Sequence, residues 1–114
     1  MLYMLLLYGS EAGEEKPSAK ERRKLFQAYE DFTQWIKERG KYRDGNALEP
    51  SSAATVVRVR DGKTLTSAGA FAQTAEQLGG YYLIDADNLD QAIEIAARVP
   101  RATSGRVEVR PIQV

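Results

Sequence analysis

Apolar and polar positions change period several times along the chain, and the clearest change lies in residues 77–100, QLGGYYLIDADNLDQAIEIAARVP. Tyr81, Tyr82, Leu83 and Ile84 form a short apolar run of strand-favouring type. Gly79 and Gly80 precede it and predict a bulge or a close backbone approach. Asn88 then has the chemistry of a helix N-cap, with Gln91 at capping-box spacing. Leu89, Ala92, Ile93 and Ala96 follow at helical spacing as one expected buried stripe, with Ile95 outside it, and Pro100 is the stop. Leu2 to Tyr8 is a second strand. Its apolar character is continuous: Leu2, Met4 and Leu6 point one way, Tyr3, Leu5 and Leu7 the other, so both faces require cover.

Residues 9–17 read as a polar loop. Ser18 with Glu21 predicts a capping box opening a helix to about Arg39, closed by Gly40. Its expected buried stripe is Leu25, Tyr29, Phe32 and Ile36, with Trp35 at the edge. Residues 41–50 hold turn residues and a short edge strand. Residues 55–60 alternate, with Thr55, Val57 and Val59 opposite Arg58 and Arg60. Asp61-Gly62 signals a two-residue hairpin into a return strand at 63–67. Residues 68–76 form a small-residue loop with Phe71 as its one large apolar side chain. Residues 101–106 read as a loop, and a last strand carries Val107, Val109, Ile112 and Val114, with Pro111 placing it at an edge.

This order predicts a single α+β domain over 1–114: a ferredoxin-like sandwich with two helices on one face of a mainly antiparallel sheet, strands 2–8 and 81–84 central. The first strand is apolar on both faces, so the open face is expected to meet a partner, most economically a second copy in a two-fold homodimer. The competing arrangement folds segment 41–76 over that face.

Composition narrows the chemistry. There is no cysteine and no histidine, which excludes thiolate sites, a cysteine nucleophile and the usual base near neutral pH. Sixteen basic residues balance sixteen acidic ones, so bulk nucleic-acid affinity is not expected. The apolar start is too short to span a membrane and lacks the marks of a signal peptide. No cofactor or metal is implied, no membrane or nucleic-acid partner is expected, and a cytoplasmic protein is the default.

The segments VRVRDGK (57–63), GAFAQT (69–74), EQLGGYYLID (76–85), LDQAIEIAARVP (89–100) and VEVRP (107–111), with LYMLLLYG and RDGNALEP, resemble the YCII-related family, in the subgroup named for a DGPF motif. The resemblance covers nearly the whole chain. It implies a bacterial, dimeric ferredoxin-like α/β domain of poorly defined function. One branch of that family has a proposed His-Asp site, and the DGPF branch is often encoded beside sigma-factor-like genes. Here the motif reads Ala68-Gly69-Ala70-Phe71, so its aspartate and proline are both alanine, and the His-Asp pair cannot form in a chain without histidine.

Among candidate site residues, Ser67, Gly69 and Thr74 can present hydroxyls and backbone N–H groups to a small anion with Phe71 as a wall. The alternative is a connecting loop with Phe71 in the core. Arg58, beside Arg60, suits a carboxylate or phosphate, or else an ordinary solvent face. Glu76 and Asp85 are weak general-base candidates, Asp85 more simply a strand-end group. Tyr81 and Tyr82 point to opposite faces, one under the helices and one able to carry a hydroxyl into a pocket. The leading expectation is a dimeric module for a small anionic metabolite without strong catalysis. The alternatives are a lyase or hydrolase acting on a small carboxylated substrate through Glu76 or Asp85 with Arg58, and a protein-interaction module tied to transcription control.

Overall fold

Alternation in two neighbouring strands sets the core. A computed structural model describes residues 1–12 and 17–114; positions 13–16 of the expected 9–17 loop lie outside the described residues. Strand β1 (Leu2–Gly9) runs antiparallel to β5 (Gln77–Asp85), with Leu5 opposite Tyr82 and Tyr3 opposite Ile84. Tyr3, Leu5, Leu7, Tyr82 and Ile84 are all buried on one face. The register shifts once: Leu7 faces Gly80 but Tyr8 faces Leu78, so Gly79 is the extra residue of a β-bulge. The strand therefore begins at Gln77, four residues earlier than its apolar run.

β2 (Tyr42–Ala47) adds to the outer edge of β5, and β6 (Arg106–Pro111) to the outer edge of β1. The sheet order is β2-β5-β1-β6, every pairing antiparallel, with the two most apolar strands in the middle. β3 (Thr55–Arg60) and β4 (Lys63–Ala68) form a separate two-stranded ribbon. Its turn has positive φ at both Asp61 (51°) and Gly62 (73°), the conformation a type I′ hairpin demands. Segment 41–76 does not close over the open face of the sheet: β4 is exposed throughout, and in β3 only Val56 is partly covered.

Both helices cover the other face. The capping box forms as its spacing requires, Ser18 Oγ accepting from the Glu21 N–H at 3.1 Å and Glu21 accepting from the Ser18 N–H at 3.2 Å. In α1 (Ala19–Glu38) only the C-terminal half packs fully: Phe32 and Ile36 are buried, Tyr29 half-buried, and Leu25 is 45% exposed. The first turns of the helix stand off the sheet. Trp35 lies at the edge of the core, 6.4 Å from Phe32 and flanked by the guanidinium groups of Arg39 and Arg98 at 4.2 and 4.4 Å.

The expected stripe of α2 (Leu89–Ala97) is corrected. Ala92, Ile95 and Ala96 are buried with Val99, while Leu89 and Ile93 are exposed. The helix carries two adjacent apolar stripes, and nine residues do not separate them by period alone. The choice falls to the stripe that continues into Val99, where the chain turns into the 3₁₀ turn Pro100–Thr103 rather than a plain loop.

Two isoleucines two positions apart give the test. Ile95→Ala, at a site 3% exposed, is expected to cost about 2–5 kcal/mol in urea unfolding; Ile93→Ala, at a site 50% exposed, is expected to cost less than about 1 kcal/mol. Equal losses would place the helix on the wrong face.

Candidate functional site

The space left where α1 stands off the sheet forms a cleft of about 490 Å³. Leu25, Phe26 and Tyr29 line it from the helix, and Leu7, Tyr42 and Tyr82 from the strands. Its floor is unusually bare because Gly45, Gly79, Gly80 and Ala47 present little or no side chain there. Two of those glycines are closely hemmed in. A Cβ on Gly45 would lie 2.6 Å from the Tyr82 ring, and one on Gly80 would lie 3.0 Å from the Asn46 carbonyl oxygen. Gly79 differs: a Cβ there meets nothing nearer than Leu7 O at 4.0 Å. The bulge that shifts the strand register thus also leaves the cleft unfilled.

Tyr82 is the most constrained polar group in the cleft. Its ring packs edge-on against Phe32 and Tyr42, at 5.1 and 6.5 Å, and its hydroxyl shares a 3.1 Å hydrogen bond with Thr33 Oγ1. Thr33 in turn donates to Tyr29 O at 2.8 Å. Burial pushes the Tyr82 phenol above its ordinary value, so it is a neutral hydrogen-bonding group at physiological pH. Tyr81, on the opposite face, donates to Asp44 Oδ2 and accepts from Asn46 Nδ2, both at 3.0 Å, which ties the bulged edge strand to β5.

A second cleft of about 470 Å³ lies at the end of β1 and β5, lined by Tyr8, Leu48, Pro50, Ala70, Thr74 and Leu78 among others. Its loops are stitched together. The Glu11 carboxylate accepts from the Ser51 N–H at 2.8 Å and from its hydroxyl at 2.6 Å. Gln77 accepts from the Glu11 N–H and donates to Thr74 O. Sequence reasoning passed over Glu11, which sits in a stretch that reads as bare polar loop; nothing local marks its partner forty residues on.

The candidate residues do not gather at one point. Tyr82 lines the helix-side cleft and Thr74 the loop cleft, where its hydroxyl donates to Glu76 O. Ser67 and Gly69 sit at the base of the ribbon, Gly69 with φ 89° and its N–H on Ala54 O. Phe71 is 85% exposed, neither in the core nor among the residues lining either cleft. Arg58 is exposed on the ribbon. Glu76 pairs with Arg106 at 3.0 Å. Asp85 pairs with the Met1 α-amino group and Arg43, each at 2.9 Å, and the α-amino hydrogen bond holds its carboxyl below the ordinary value. The two carboxylates flank β5 at opposite ends, about 30 Å apart at the rise of an extended strand. Among the described residues no group of three or more acidic side chains comes together to hold a metal ion.

Hydrogen bonds from the Ser51 side chain and backbone hold the Glu11 carboxyl below its ordinary 4.5. A folded-state value below the unfolded one gives a contribution present above about pH 4.5 and lost as pH falls through the folded value. Glu11→Ala is therefore expected to lower Tm at pH 7, with the gap between the two proteins narrowing as pH falls below about 4.5. An unchanged gap at acid pH would show that the charged carboxylate is not what holds the loops.

"Uncharacterized protein R00369" of Rhizobium meliloti (strain 1021) is 35% identical over 114 aligned positions, spanning 98% of this chain and 92% of that one. The profile of the YCII-related domain matches residues 1–114. The chain belongs to the YCII-related domain family.

Proposed function

We propose that the protein is a single-domain, dimeric small-molecule-binding module without strong catalysis, its ligand held in the helix-side cleft. The cleft carries this reading: about 490 Å³, mostly apolar, with Tyr82 held by its neighbours at one wall. Weak catalysis follows from the disposition of the titratable groups. Glu76 and Asp85 are engaged in separate ion pairs, Arg58 is on another sheet, and the Tyr82 phenol is pushed away from neutral pH. Within the family we place the chain in the DGPF-type branch, with the motif degenerate at Ala68 and Ala70.

The ferredoxin-like reading is supported by the order of the four sheet strands once the ribbon is set aside as an insertion: second, third, first, fourth, with a helix after the first and third. Dimerisation through the open face is supported by its anatomy. Leu2, Met4, Leu6 and Leu83 form a partly exposed apolar centre, and the Arg110–Glu108 and Arg43–Asp85 pairs lie at its margins. Val57 and Val59 on the ribbon, each about 60% exposed, favour a second reading in which the ribbon engages another protein.

Two experiments test the proposal. Gly79→Leu fills the cleft at a position with room for the branch; it is expected to remain folded and to lose the Tm shift that a small-metabolite panel gives the parent, several degrees at ligand concentrations about 100 times Kd. A shift that survives would move the site elsewhere. In light scattering the parent is expected at twice the 12.7 kDa chain mass, and Leu83→Arg as a folded monomer. A monomeric parent at micromolar concentration would remove the dimer.

A further inference from the structure

The β3–β4 ribbon has two faces of different chemistry. Thr55 pairs with Ala68, Val57 with Thr66 and Val59 with Thr64, and strand alternation puts all six on one face. That face carries no charge, and every one of its side chains is exposed. The other face holds Arg58, Arg60 and Lys63 beside Val56 and Leu65. A ribbon with water on both sides gains nothing from such a sorting. Within the chain the uncharged face has nothing to pack on: β3 and β4 pair with each other and, among the described residues, with no strand of the main sheet. The root of the ribbon is nonetheless fixed. The Gly69 N–H donates to Ala54 O at 2.8 Å, and the 3₁₀ turn Ser51–Ala53 before β3 is tied to the Glu11 carboxylate through Ser51. The ribbon is therefore a pre-formed arm.

The open face of the main sheet lacks a cover of matching kind. Leu2, Met4, Leu6 and Leu83 are partly exposed at its centre. Those four side chains are few against the roughly 20 residues a side that a stable interface engages. The ribbon supplies more. Its strands are six residues long, so at about 3.3 Å per residue and about 4.8 Å between strands its face measures about 20 Å by 10 Å, enough to span the run from Leu2 to Leu6, about 13 Å long. We propose that the uncharged face of the ribbon closes over the open sheet of a second copy, Val57 and Val59 against Met4, Leu6 and Leu83 of that copy, and that the second copy's ribbon does the same in return. This rests on the reading of the open face as the dimer surface and names what lies on it. Two-fold symmetry repeats every contact, so each copy contributes one ribbon and one sheet centre, and the surface engaged is about doubled. Valine and threonine on a pleated surface suit packing against another sheet, whereas a lipid surface calls for larger apolar and aromatic side chains. Arg58, Arg60 and Lys63 then face water.

Methyl-labelled and unlabelled full chains, mixed and examined by isotope-filtered NMR, give the direct test. Intermolecular NOEs are expected from the Val57 and Val59 methyls to Met4, Leu6 and Leu83 of the other copy. The double variant Val57→Glu, Val59→Glu, at positions already exposed, is expected to stay folded and to raise the dimer Kd at least about 10-fold in sedimentation velocity. Arg58→Ser with Arg60→Ser, on the opposite face, is expected to leave that Kd unchanged. A dimer whose intermolecular NOEs join only sheet residues, or whose Kd ignores the change at Val57 and Val59, would overturn the arm and leave the open-face dimer standing, with the ribbon free for a different protein. A Kd raised by the arginine pair would also overturn it, by placing the cationic face in the contact. A parent that is monomeric at micromolar concentration removes the dimer and the arm together.

Discussion

The antiparallel pairing of β1 with β5 is the constraint on which the rest depends. These two strands carry the apolar residues that face the helices, and they hold the middle of the sheet because they alone have apolar side chains to bury on both sides. Once Leu5 stands opposite Tyr82, the edge strands must be the shorter and more polar β2 and β6, and both helices must lie over Tyr3, Leu5, Leu7, Tyr82 and Ile84. A slip of one residue would exchange the two faces of β1 and strand the core side chains in solvent. The bulge at Gly79 resolves the mismatch at the far end of this pairing without disturbing the register of its centre.

The same pairing explains the location of the cleft. Phe32 and Ile36 anchor the C-terminal half of α1 where Tyr82 and Ile84 offer large side chains. Further along β5, Gly80 and Gly79 offer none, so the N-terminal half of the helix has nothing to pack against and Leu25 and Phe26 remain open. Among the floor glycines only Gly79 has room for a larger side chain. The vacancy costs packing, and Gly45 and Gly80 are held small by contacts with Tyr82 and Asn46 rather than by any turn. Gly9 and Gly105 leave backbone bare in the same way, and the Arg101 side chain lies against both, 2.6 Å and 2.9 Å from where their Cβ atoms would stand.

The ribbon β3–β4 follows different rules. Two strands by themselves bury too little to be stable in water, and this one leaves Val57 and Val59 exposed. Its hairpin geometry is secured locally by Asp61-Gly62, whereas its packing is not satisfied within the chain. Together with the uncovered centre of the sheet, it gives the molecule two partly exposed apolar surfaces.

Local chemistry was legible from sequence wherever a few adjacent residues suffice. The Ser18–Glu21 box, the Asn88 cap accepting from the Gln91 N–H at 2.9 Å, the Asp61-Gly62 turn, the bulge at the double glycine and the central place of β1 and β5 all follow from side chains within a turn or a strand of each other. Membership of the YCII-related family was legible for the same reason, carried by short contiguous blocks. What required the tertiary structure was every choice between two locally equal options. Ile95 rather than Ile93 faces inward because Val99 and the sheet lie on that side. Tyr82 rather than Tyr81 goes under the helices because of the register with Leu5. Glu11 finds Ser51, and Arg101 finds Gly9, across separations at which residue spacing carries no information. A sequence marks residues by their chemistry one at a time, but a site is a property of their distances, and only the folded chain sets those.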